Sequence, residues 1–184
     1  MKIIYDRRLA LLFTLLCTGT YLLNFFNKIV DCSLVFIGLA FTSNIIAALY
    51  GKRNATISLL LSVIISFGLL RNVEYYIHGQ AIPGVIVASL ISVLFSVYLS
   101  TRLFLRLQST YSLNESNAIS LMLSAILDGI VMSVFFIRQF SLEQTRSIFA
   151  KEVLFKCLYS LVIYAVMHYT LPFIKKIQLK NKTS

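Results

Sequence analysis

Three ionisable residues in the second half of the chain carry the most chemical information. Asp128 ends a stripe with Ser120 and Ser124, spaced four apart, so the three share one side of a helix. Glu152 and Lys156 follow at i,i+4, with acid before base, the favourable order for an ion pair within a helix. Ser160, Tyr164 and His168 continue the spacing of four, but at 3.6 residues per turn the row drifts about 40° per step. His168 is therefore well round from Glu152 and Lys156. The stripe ending in Asp128 has two readings. It lines a water-filled cavity, or it is a small-residue packing face with one buried ion pair. Asn44, inside Thr42-Ser43-Asn44, adds a group that donates and accepts, fit to tie helices together or to hold a polar solute.

The elements that must position these residues follow from composition. Of 184 residues, 58% are hydrophobic and 13% charged, where soluble domains run near 45–50% and 25%. Mean hydropathy is +0.83. Soluble enzymes and disordered chains are excluded, and a polytopic helical membrane protein is left. Six stretches are apolar enough and near the roughly 20 residues that a spanning helix needs. They are 9–26, 32–50, 55–70, 82–104, 117–137 and 151–172. The runs are apolar on nearly all sides, without the alternation of barrel strands. The expected fold is thus all-α: one integral membrane domain over 1–184, a bundle of six transmembrane helices.

Orientation follows the basic residues. Lys2, Arg7, Arg8, Lys52, Arg53, Arg102, Arg106, Lys175, Lys176, Lys180 and Lys182 fall on one side. Lys28, Arg71, Arg138, Arg146 and Lys151 fall on the other. Eleven against five places both termini in the cytoplasm. It also explains the formal charge of +10 as topology and headgroup contact, with no nucleic acid as partner. The basic start of the first span is followed by a long apolar run without a small-x-small site, so no cleaved signal peptide is expected.

Depth then relates the ionisable groups. Asp128 precedes Ile137 by nine residues, about 13 Å of helix, and Lys156 follows Lys151 by five, about 7 Å. A lysine side chain spans the difference. Short loops make neighbouring helices antiparallel, so Asp128, Glu152 and Lys156 are expected to form one charged cluster in the outer half of the bundle. The serine rows Ser58, Ser62, Ser66 and Ser89, Ser92, Ser96, Ser100 read as close-packing faces, and His78 as an outer-surface residue. Cys17, Cys32 and Cys157 are odd in number and lack C-x-x-C spacing, so neither a disulfide framework nor a metal site is signalled. G-x-S-x-G, H-E-x-x-H and P-loop motifs are absent from the sequence. Nothing orients a Ser124–Lys156 dyad, and neither enzymatic activity nor a cofactor is expected.

Three segments together resemble a known family. Thr42–Ala55 (T-S-N-I-I-A-A-L-Y-G-K-R-N-A) is similar to the "aspartate, five or six residues, Tyr/Phe-Gly, basic" segment of the queuosine-precursor transporter family, also called the vitamin-uptake-transporter-like (VUT) family. Phe104–Leu107 (F-L-R-L) followed by the Ser120, Ser124, Asp128 stripe resembles the next segment, and Glu152–Lys156 (E-V-L-F-K) resembles the acidic-x-x-x-Lys pattern. The order holds over roughly 41–171. Asn44 and Glu152 stand where the family usually carries Asp, and Leu121 where Thr is common. The chain is also shorter than typical members.

The resemblance implies import of a 7-deazaguanine base across the bacterial inner membrane. Its two adjacent N–H donors suit a carboxylate, Asp128 or Glu152. Lys156 or Asn44 would meet its carbonyl, Ser120 and Ser124 would line the site, and Tyr159, Tyr164 or Phe155 would stack on the ring. Facilitated uptake without an ATPase of its own comes first. A substrate-binding subunit of an energy-coupling-factor vitamin transporter is the alternative, and a non-transporting interaction subunit a further one. Whether the chain forms a homo-oligomer or takes an energy-coupling partner stays open, as does any coupling ion.

Overall fold

The computed structural model describes residues 6–26, 28–77 and 80–180. Five helices account for nearly all of them: α1 (Arg7–Leu23), α2 (Ile29–Leu70), α3 (Val85–Leu107), α4 (Leu113–Phe136) and α5 (Leu142–Lys180). A two-residue hairpin, β1 (Tyr76–Ile77) and β2 (Gln80–Ala81), pairs antiparallel between α2 and α3. Among the described residues it is the one non-helical element in a fold expected to be all-α. His78 lies outside the described residues, as do Lys2 and Lys182.

Helix ends differ from the hydropathy limits because capping chemistry sets them. Ser112 caps α4 in a reciprocal box with Glu115, starting the helix four residues before the apolar run. Ser141 and Gln144 exchange the same bonds, so α5 starts at Leu142 and not at 151. Hydropathy windows see neither S-x-x-E/Q signature. Pro83-Gly84 holds the chain in a turn that delays α3 to Val85. Asp6 caps α1 from its side chain, accepting from the Arg8 N–H at 2.9 Å.

The 42 residues of α2 are not one straight rod. Gly51 has φ 84° and ψ 164°, a conformation open to glycine and costly for any residue with a Cβ. It divides the helix into 29–50 and 52–70, between the second and third expected spans. The three helices α2, α3 and α4 are each long and apolar enough to cross a membrane.

The packing inverts that of a water-soluble bundle. Large apolar side chains face out: Leu60, Ile64 and Phe67 on α2, Ile91 and Phe95 on α3, Ile130 and Val134 on α4, Leu158 and Val162 on α5. Many interior positions hold Ser, Asn, Asp and Lys. Such an apolar exterior is what a lipid environment accepts and water does not. A main apolar core of Leu16, Phe36, Ile37, Val93, Val97 and Leu121 joins α1 through α4. α1 packs on α2, α3 on α4, and α5 on both α4 and α2. At Gly129 an added Cβ would lie 2.8 Å from Val153 and 2.9 Å from Phe149. Glycine there is what lets α4 and α5 approach so closely.

Candidate functional site

That approach falls next to Asp128. Lys156 extends its side chain from α5 and donates from Nζ to Asp128 Oδ2 on α4 and to Glu152 Oε1 one turn back on its own helix. The charged cluster expected from depth is therefore formed. Ser92 on α3 donates to Asp128 Oδ1 at 2.5 Å, and the Lys156 ammonium sits 4.3 Å from the centre of the Phe36 ring on α2. Three helices, α2, α4 and α5, thus meet at one ammonium, and α3 joins through Asp128. Lys156 is 1% exposed and Asp128 4%, so these charges have left water. The arrangement is tolerable because each is hydrogen-bonded and paired.

A second polar centre lies eleven residues earlier on α4. Asn44 Nδ2 donates to Asn117 Oδ1 and to Ser120 Oγ, both at 2.9 Å. The Ser120 hydroxyl in turn donates to the Asn117 backbone carbonyl at 2.8 Å. Asn44 Oδ1 is buried and has no hydrogen-bond partner. Ser43 and Thr101 bond at 3.0 Å beside it, and Ser100 donates to the Ser120 carbonyl at 2.6 Å.

The expected site residues therefore divide. Asp128, Glu152 and Lys156 form the triad. Asn44 and Ser120 form the neutral centre, held by Asn117. Ser124 lies on the same stripe, but its hydroxyl returns to the Leu121 carbonyl at 2.7 Å and bonds to neither centre. Tyr159 packs half-buried against the apolar core, and no hydrogen bond joins it to the triad among the described residues. Tyr164 stacks on His168, ring centres 6.0 Å apart, and its carbonyl accepts from Asn114 at 3.2 Å.

Ser92, Asn117 and Phe36 were not singled out as site residues. Ser92 belongs to a stripe with the same spacing of four as that of α4, and that spacing was its signal. Asn117 stood at an expected helix boundary. An aromatic within an apolar run gives no sign that it underlies a cation.

A cavity of about 510 Å³ opens where α2 ends and α3 begins, lined among others by Phe67, Arg71, Glu74, Tyr75 and Ile86. None of the triad lines it. Among the lining residues, Tyr75 donates to the Phe26 carbonyl at 2.6 Å. Cys32 donates to the same carbonyl at 3.2 Å. Burial, and then the adjacent Cys32, push the Tyr75 hydroxyl above the ordinary tyrosine range, so it stays protonated and keeps that bond.

No protein-family model matches the chain, and neither curated proteins nor solved structures give a significant match.

Proposed function

We propose that this chain is a multi-pass transporter of the bacterial inner membrane that imports a 7-deazaguanine queuosine precursor without an ATPase of its own. In this reading α1, the two halves of α2, α3, α4 and α5 supply six crossing segments of a single membrane domain. Both termini are cytoplasmic by the eleven-to-five distribution of basic residues.

One observation carries the transport reading: a lysine shared by two acids inside an apolar-faced bundle. A charge kept only to fix helix register needs one partner. Placing further ionisable groups in hydrocarbon is costly, and such groups mark solute or ion pathways. Asp128 is the group suited to a planar double donor. Its two oxygens already accept from two donors, Ser92 and Lys156, much as they would from the paired N–H groups of a guanine-like edge. The solute would enter by displacing Lys156 toward Glu152. Phe36, already at van der Waals range of the ammonium, offers a flat apolar face there. The choice of a 7-deazaguanine base comes from the resemblance of three segments and not from the geometry.

The test is queuosine in tRNA, measured in a bacterium lacking both its own transporter of this kind and precursor synthesis. Expressing this chain and feeding 7-deazaguanine bases singly is expected to restore it. Restoration that also needs energy-coupling ATPases would make the chain a substrate-binding subunit. No restoration with the protein present in the membrane would refute the substrate.

A further inference from the structure

Charge counting at the triad leads one step further. Asp128 and Glu152 bring two negative charges and Lys156 one positive. With all three ionised the cluster holds a net charge of −1 in a bundle with an apolar exterior. Among the described residues, Lys156 is the basic group that pairs with either acid. Facing Glu152 are Lys156 and Asp128, together with Cys32 from α2 and Tyr75 from the α2–α3 connection. Asp31, beside Cys32, is one more acid. α3 contributes the neutral Ser92 hydroxyl. A buried uncompensated charge is expensive enough that the group takes up a counter-charge instead.

The geometry decides what that counter-charge is. The Lys156 ammonium already occupies the point between the two carboxylates where a metal cation would sit. The added positive charge must therefore go onto a carboxylate oxygen, as a proton. Asp128 accepts at both oxygens, from Ser92 and Lys156, so both are already engaged. Glu152 is the acid left to carry the proton, and its side chain is the most accessible of the three, 16% against 6% and 1%.

We propose that the triad is a proton-binding site that holds one exchangeable proton, on Glu152, and carries it across the membrane with the solute. The proton comes from water at the Tyr75 end of the bundle, forming an O–H bond on Glu152. That bond breaks when the site opens to the other side, and the proton leaves to water there. Cotransport rests on the transport reading; the proton site itself does not.

Two measurements on the full chain separate them. The first is the infrared carbonyl band of a protonated carboxyl group in purified protein at neutral pH. It is expected in the wild type and lost in Glu152→Gln. It is also expected to be lost in Asp128→Asn, where Glu152 remains but one acid now balances one base. No band in the wild type, or a band persisting in Asp128→Asn, overturns the site whether or not the chain transports. The second is uptake of a labelled 7-deazaguanine base into phospholipid vesicles. An inward gradient of about two pH units is expected to drive accumulation toward about 100-fold at one proton per solute, and a protonophore to abolish it. Uptake indifferent to both overturns cotransport and leaves transport standing. The band without any uptake supports the proton site and refutes the transport reading.

Discussion

Two buried polar centres share α4 and are built on opposite principles. The Asn44–Asn117–Ser120 centre is neutral: amides and hydroxyls bond to one another, Asn117 Nδ2 donates to the Met167 sulfur, and one acceptor, Asn44 Oδ1, goes without. The Asp128–Lys156–Glu152 centre, about 16 Å away along the helix axis, is charged and draws on four helices. A neutral bond contributes about 1 kcal/mol net, whereas a buried ion stripped of its partner costs several. The first centre can be exchanged for apolar packing at modest cost. The second fails badly if dismantled one residue at a time. A helix bundle that needed only cohesion would have two centres of the first kind.

Lys156→Met gives the largest effect, because it leaves two carboxyl groups facing each other without a cation. Destabilisation of about 3–5 kcal/mol is expected, read as a lowered thermal midpoint of the purified protein by circular dichroism. The triple variant Asp128→Asn, Glu152→Gln, Lys156→Met removes every charge and should regain most of that loss. It should still transport nothing. Recovery of uptake along with stability would reduce the triad to a structural clasp. Asp128→Asn alone sharpens the point: the ion pair within α5 survives, the chain inserts and folds, and base uptake is expected to vanish.

Gly129→Val tests whether helix approach or charge brings the triad together. Its side chain would meet Val153 and Phe149 well inside contact distance. Overpacking of this kind costs about 1–3 kcal/mol and should spread α4 from α5. Loss of uptake together with the lowered thermal midpoint is expected. Unchanged uptake would show that Lys156 reaches Asp128 without close packing.

The neutral centre should respond less. Asn44→Leu removes two hydrogen bonds and one orphaned acceptor. It strands Asn117 Oδ1, while Ser120 still donates to the Asn117 carbonyl. A loss of about 1–2 kcal/mol is expected, with uptake reduced but measurable. A loss as large as that of Lys156→Met would erase the distinction between the centres.

How far the sequence foretold this depends on the kind of interaction. The triad was legible because Asp128 and Lys156 are conspicuous in apolar runs, and helix rise converts sequence distance into depth. Ser92 was less so: its stripe is spaced like that of α4, but spacing does not say which serine meets a carboxylate and which bonds to its own helix. Ser96 bonds to Ser92 O at 2.7 Å, while Ser92 itself reaches α4. The break at Gly51 agreed with the gap between two apolar runs. The early starts of α4 and α5 did not, since they rest on Ser112 and Ser141 capping outside any apolar window. Tyr159 was named for the stacking its ring could offer a flat solute, and in the structure it packs against the apolar core.

The smallest effect lies outside both centres, where α1 begins. Asp6 accepts from the Tyr50 hydroxyl at 2.7 Å as well as from the Arg8 N–H, and these bonds hold its carboxyl below the ordinary aspartate range. A depressed value in the folded state means that the tie is present above the unfolded pKa, 3.8, and fades as pH falls through the lower folded value. Asp6→Asn should therefore be slightly less stable than the wild type at neutral pH, and the two thermal midpoints should converge on acidification below about pH 4. Midpoints of Asp6→Asn that stay apart in acid would show that the tie between α1 and the end of residues 29–50 does not depend on the charge of Asp6.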